Sequence, residues 1–203
     1  MSDGEVRIAR EGPVAYVTFD RAAARNAMTW DMYQQLGAIC AALKDDASVR
    51  VVVFRGAGGK AFIAGTDIAQ FKSFTSAEDG VKYEHTMEQY LVAIEALPMP
   101  TIAVLDGWTV GGGLAIASCC DLRVAVPGAR LGIPIARTLG NCLSMANYAR
   151  LYPLLGPAKV KDIIFTARLM GAEEALAGGL VSEVLPDAAA VRARAEELAR
   201  TIA

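Results

Sequence analysis

One histidine, His85, serves the whole 203-residue chain. A metal centre built from several histidines is therefore excluded, no metal site is expected, and a Ser–His–Asp triad could be built only around that residue. The four cysteines, Cys40, Cys119, Cys120 and Cys142, form no CxxC pair and no regular spacing. That argues for free, mostly buried thiols in a reducing compartment rather than a disulfide framework. Long apolar runs are missing too. The longest stretch without a charged residue, Gly107 to Cys120, is 14 residues, whereas a membrane-spanning helix needs about 20. A basic excess is also absent: 20 Lys and Arg stand against 22 Asp and Glu, so no nucleic-acid partner is expected. The opening residues, MSDGEVRIAREG, are charged from the third onward and hold no apolar leader, and a cytoplasmic protein is expected.

What is present is a folded chain. At 54% hydrophobic and 21% charged it is too apolar for disorder, and its length suits one large domain. Residues 5–10 and 14–19 alternate about Glu11-Gly12-Pro13, which predicts a β-hairpin. Asp31 is the expected cap of a helix that carries Met32, Leu36, Ile39, Cys40 and Leu43 on one face. The short apolar runs VRVVVFRG and TIAVLDG predict buried strands, and DLRVAV another. Helices are expected over 78–97, around 142–152, 157–165 and 172–178, and over 188–202, the last amphipathic; VSEVL reads as a short strand. Strands and helices alternate without a linker or charge block, so the expectation is a single α/β domain over 1–203.

Two glycine-bearing turns follow buried strands: AFIAGTD, with Gly65 and Thr66, and GWTVGGGL, with Gly111, Gly112 and Gly113 ahead of a helix. A helix N-terminus exposes free N–H donors and the positive end of its dipole. Glycine removes the Cβ that would keep a ligand from the backbone. Two such donors aimed at one point would form an oxyanion hole. The same glycines also serve close strand–helix packing, and a triple glycine alone does not separate the two uses. The spacing is not that of the dinucleotide fingerprint G-x-G-x-x-G.

Four stretches in order carry a resemblance: RNAMTWDMYQQL at 25–36, VRVVVFRGAGGKAFIAGTDI at 49–68, PTIAVLDGWTVGGGLAIASCCDLRVAV at 100–126, and GPAKVKDIIFTARLMGAEEALAGGLVSEVLP at 156–186. With these motifs the chain resembles the crotonase (enoyl-CoA hydratase/isomerase) superfamily along essentially its whole length. The resemblance implies a spiral of ββα units over about 1–186, followed at 187–203 by the start of a helical C-terminal region. It implies an acyl-CoA thioester as substrate, with coenzyme A entering only as part of that substrate and no separate cofactor. The thioester carbonyl would sit between the backbone N–H groups of Thr66 and Gly112, where an enolate is stabilised. CoA would run along Arg25, Lys60, Ala64, Asp67 and Ile68, with Gly111, Trp108 and Asn141 around the acyl group.

The sequence departs from that pattern in two places. Family hydratases carry one glutamate two residues after the triple glycine and a second after the proline of a later G-x-P-E segment. Here these positions are Ala115 and Ile135, and neither side chain transfers a proton. The remaining candidates for acid–base work lie on the 78–97 helix: Glu84, His85 and Glu88, of which His85 and Glu88 share a face. Thr138, Asn141, Cys142 and Ser144 are candidate polar lining, and Asp106, at the end of its strand, is expected to be structural. The second departure is length. The family's C-terminal helices, which cover the CoA site and build a homotrimer or dimer of trimers, are expected to be missing here. The expected function is that of an acyl-CoA thioester enzyme of the enoyl-CoA hydratase/isomerase class, a lyase or isomerase that stabilises a thioester enolate in a backbone oxyanion hole. The alternatives are a non-catalytic acyl-CoA-binding protein, or a crotonase running isomerisation, thioester hydrolysis or decarboxylation; RNA binding finds no support in the charge.

Overall fold

The computed structural model describes residues 4–138, 140 and 142–203. The chain opens on a hairpin, β1 (Glu5–Glu11) and β2 (Val14–Asp20), turned at Gly12-Pro13, and continues into α1 (Trp30–Lys44). Three times thereafter it lays down two strands and then a helix. The first unit is β3 (Val51–Gly56), β4 (Ala61–Ile63) and α2 (Ala77–Glu95). The second is β5 (Thr101–Leu105), β6 (Trp108–Val110) and α3 (Gly112–Ser118). The third is β7 (Leu122–Ala125), β8 (Arg130–Gly132), the single turn α4 (Ile135–Thr138) and α5 (Met145–Phe165). The remainder is β9 (Met170–Gly171), α6 (Ala172–Ala177), β10 (Glu183–Val184) and α7 (Ala188–Ile202).

The two strands of each unit enter different sheets. One sheet has the order β1-β2-β3-β5-β7-β10 and the other β4-β6-β8-β9, so the expected ββα spiral is present. Within the first sheet β2, β3, β5, β7 and β10 are parallel, which explains the apolar runs of β3 and β5: β5 is buried at all five positions. In the second, β4, β6 and β8 are parallel, so Ile63, Val110 and Gly132 end on one edge. The carboxyl edge of parallel strands is where an α/β fold opens a crevice. α7 closes the other side, burying Val191, Ala195 and Ala199 against the larger sheet.

Local chemistry corrects one boundary. α1 is capped by Thr29, not Asp31: Thr29 is extended and its hydroxyl accepts from Met32 N–H at 3.2 Å. Asp31 instead lies in the first turn and accepts from Gln35 at 2.6 Å. The two helices expected over 142–152 and 157–165 meet at Gly156, whose backbone leaves helical geometry just before Pro157. All four cysteines are free, with Cys40, Cys119 and Cys120 buried and Cys142 exposed. Among the described residues no helix is long and apolar enough to cross a membrane.

Candidate active site

The two glycine turns leave the neighbouring strands β4 and β6 and touch. Beyond β4, the chain is clamped by residues 26–28. Asn26 is fully buried, and its amide donates to the Ala57 and Ala61 carbonyls at 3.0 and 2.9 Å. Met28 N–H then donates to Gly65 O at 2.8 Å, and Asp67 N–H to Met28 O at 2.9 Å, so the backbone is tied on both sides of Thr66. Gly65 sits at φ +104° and Gly111 at φ +56°, left-handed conformations that admit glycine at little strain. A Cβ on Gly111 would lie 3.7 Å from Gly65 Cα, an ordinary van der Waals contact.

Gly112 is the first residue of α3, where an N–H finds no acceptor within the helix. Among the described residues neither it nor Thr66 N–H donates to a backbone carbonyl. A Cβ on Gly112 would lie 3.2 Å from Thr66 Oγ1 and 2.6 Å from Tyr33 Oη, so Thr66 and Gly112 are neighbours. Thr66 Oγ1 shares a hydrogen bond with Tyr33 Oη at 2.9 Å and lies 3.4 Å from Tyr83 Oη. Burial pushes both phenols above their ordinary range, so each stays protonated and able to donate. Neither tyrosine is among the residues the sequence singles out.

Gly111 and Gly112 open into a cavity of about 100 Å³. Its wall is mostly apolar, from Phe71, Met87, Leu91, Ile133 and Leu143. Ala115, Ile135, Asn147 and Glu84 line it as well, with Tyr33 and Tyr83. Burial, and after it the charge of Glu88, raises the Glu84 carboxyl above the ordinary glutamate range.

The other expected site residues fall elsewhere. Glu88 points to α5, where its oxygens accept from Arg150 at 2.8 and 2.6 Å, and it does not line the cavity. His85 is exposed and pairs with Gln89 at 3.2 Å. Arg25, Lys60, Asp106 and Trp108 share a separate cleft of about 380 Å³. There the Arg25 guanidinium lies 5.2 Å from the Trp108 ring centre, within cation–π range. Ala64 N–H donates to Arg25 O at 3.0 Å, which joins that cleft to the Gly65 turn. Asp67 accepts from Ala69 N–H at 3.0 Å and pairs with Arg21 at 2.8 Å, and these bonds hold its carboxyl below the usual range. Ile68 is exposed beside it. Asn141 lies outside the described residues. Ser144 caps α5, and the Thr138 hydroxyl donates to Pro134 O at 3.1 Å. Among the described residues no three His, Cys, Asp or Glu side chains gather to hold a metal ion.

Known proteins share this sequence and this fold. The Enoyl-CoA hydratase/isomerase family profile matches residues 9–203. A short-chain-enoyl-CoA hydratase of Clostridium acetobutylicum is 36% identical over 185 residues, 91% of this chain and 70% of that protein. A crotonyl-CoA hydratase of Syntrophomonas wolfei is 32% identical over the same shares. A crystal structure described as an enoyl-CoA hydratase/carnithine racemase from Magnetospirillum magneticum superimposes with a TM-score of 0.92 at 34% identity, over 97% of this chain and 73% of that one. With the ββα spiral and the paired glycine turns already in place, the chain belongs to the enoyl-CoA hydratase/isomerase family, the crotonase superfamily.

Proposed function

We propose that this protein binds an acyl-CoA thioester with its carbonyl oxygen between the N–H groups of Thr66 and Gly112, and stabilises the enolate formed when the adjacent carbon loses a proton. The observation that carries the reading is the contact between the Gly65–Thr66 turn and the start of α3, at the mouth of an apolar cavity. A carbonyl oxygen gains most from such donors when it becomes negative, so the pair favours the transition state over the bound thioester. The dipole of α3 acts in the same sense. Arg25 and Lys60 are suited to the CoA phosphates, with Ala64, Asp67 and Ile68 along the way. The step moves a proton and calls on no cofactor beyond the CoA carried by the substrate.

Hydration is the reaction that fits least. It needs one group to activate water and another to protonate the α-carbon, and Ala115 and Ile135 occupy the positions where family hydratases hold those glutamates. Positioned acids and bases contribute about 10² to 10⁴-fold each. Isomerisation, which returns a proton to the carbon skeleton, is favoured. The same two replacements favour a second reading, a protein that binds acyl-CoA without turnover.

α-Proton exchange separates the two. Butyryl-CoA is incubated with the protein in D₂O and loss of the α-proton signal is followed by NMR. Removing the Gly112 donor takes care, because a Cβ there meets Tyr33 Oη at 2.6 Å. The comparison is Tyr33→Phe/Gly112→Ala against Tyr33→Phe/Gly112→Pro, both at saturating butyryl-CoA: each places a Cβ at the mouth, and proline, accepted at the first helical position, also replaces the N–H by a ring carbon. The proline variant should exchange about 100-fold more slowly than the alanine one, the loss expected for one oxyanion donor. Binding of butyryl-CoA with no exchange by the unaltered protein would leave the non-catalytic reading.

A further inference from the structure

The cavity at Gly112 must move a proton with very few groups. Ala115 and Ile135 offer alkyl walls, the amide of Asn147 does not titrate, and the phenols of Tyr33 and Tyr83 hold their protons. Glu84 is the one carboxylate among the described lining residues. Glu88, one helical turn on, is engaged by Arg150, whereas Glu84 has no hydrogen bond or ion pair among the described residues. Glu84 shares that lining with Gly112 and with Tyr33, whose phenol oxygen would lie 2.6 Å from a Cβ on Gly112.

From this juxtaposition of the one lining carboxylate with the Gly112 turn in an otherwise non-ionising cavity, we infer that Glu84, from α2, is the group that takes and returns the proton in the isomerisation favoured above, written here for a β,γ-unsaturated acyl thioester. The inference rests on the enolate reading above. Ionised Glu84 takes a proton from the α-carbon: the C–H bond breaks, a carboxyl O–H forms, and the electron pair moves into the carbonyl to give the dienolate. The protonated carboxyl then delivers that proton to the γ-carbon, the carbonyl re-forms, and the double bond comes to lie between the α- and β-carbons. One group is base and then acid, and no water, oxidant or reductant is consumed. The titratable groups that face Glu84 are Tyr33 of α1, Tyr83 and Glu88 of α2, and Cys142 ahead of α5. Burial and the Glu88 charge keep its carboxyl closer to neutral pH than an ordinary glutamate, as suits a general base.

The test uses the full chain with Glu84→Gln and Glu84→Asp. It follows α-proton exchange of butyryl-CoA by NMR and conversion of 3-butenoyl-CoA to crotonyl-CoA by absorbance, with butyryl-CoA binding measured alongside. Glu84→Gln should slow both reactions at least about 100-fold while binding stays within about twofold, and Glu84→Asp should retain part of the rate. In the unaltered protein the rate should rise with pH through an apparent pKa above the ordinary glutamate range, and that limb should vanish in Glu84→Gln. A Glu84→Gln protein that keeps both rates, or a loss found only in His85→Ala, overturns the assignment and leaves the enolate reading standing. An unaltered protein that binds butyryl-CoA yet neither exchanges nor isomerises overturns both.

Discussion

A methyl group at Gly113 would lie 2.1 Å from the carbonyl oxygen of Ile63, a distance that neither backbone can relieve without moving β4 or α3. The same methyl at Gly112 meets the far end of the Tyr33 side chain. Adjacent glycines thus answer to different constraints, one of packing and one of access. Gly113→Ala should destabilise the fold by about 1 to 3 kcal/mol, the range for overpacking a tight core. Gly112→Ala should cost less stability yet impair thioester binding, because its Cβ enters the mouth of the cavity. Urea unfolding with acyl-CoA binding on both variants checks this, and equal stability losses would contradict it. Sequence alone finds the glycine triplet but cannot divide its labour, because packing and access both select glycine. Nor could it find the Tyr33–Thr66–Tyr83 contact: the three residues come from α1, the Gly65 turn and α2, and no local spacing joins them. Glu84 stood beside His85 and Glu88 as a candidate, and only the folded chain divides them: Glu84 lines the cavity, Glu88 is bound by Arg150 and His85 is exposed.

α2 is tied to α5 by charge. α2 begins in a capping box, with the Ser76 hydroxyl accepting from Asp79 N–H at 3.3 Å and the Asp79 carboxylate accepting from Ser76 N–H at 2.9 Å. Its second half is fastened: Arg150 of α5, itself nearly buried, bonds Glu88 at 2.8 and 2.6 Å and Glu95 at 2.8 and 2.9 Å. The planar fork matches two carboxylates at once, and a lysine cannot. Arg150→Met should lower stability by about 1 to 2 kcal/mol, modestly because both glutamates remain partly hydrated once released. Arg150→Lys should fall between the variant and the parent, as read by urea denaturation; a lysine variant as stable as the parent would show that charge alone suffices. At this scale much of the fold was legible. The hairpin, α1, α2, the α5 break and α7 all follow from periodicity, turns and caps. The second sheet was harder to read, since β4, β6 and β8 have three residues each and β9 two. A strand of three residues shows no period, and what makes it a strand is the neighbour it pairs with.

The repeating ββα unit brings the ends of β4 and β6 to one edge, which is why turns some 45 positions apart meet at the candidate site. Its counterpart on the far side is α7, laid across β3, β5 and β7. Polar ties cross that interface as well: Arg194 pairs with Glu183 of β10 at 2.8 Å, and Arg192 of α7 donates to Asp106 Oδ2 at 2.7 Å, just past the end of β5. The Asp106 side chain is wholly buried and its Oδ1 has no partner among the described residues. Burial raises its carboxyl, and Arg192, with a weaker contribution from Arg55, pulls it back down. The sign of the linkage follows. A carboxyl raised in the folded state holds its proton more tightly than in the unfolded chain, so it adds stability at low pH and loses that contribution as pH rises through the folded value. In Arg192→Leu the downward pull is lost and the folded value climbs further. The stability gap between parent and variant should therefore be small near pH 4.5 and widen to about 1 to 3 kcal/mol at pH 8, where an unpaired buried carboxylate must ionise or be hydrated. Thermal or urea unfolding across that range measures the gap. Between Asp106→Asn and Asp106→Asn/Arg192→Leu the gap should no longer vary with pH, because the titrating group is gone from both; a gap between parent and Arg192→Leu that is already flat would mean that the Asp106 carboxylate does not depend on Arg192.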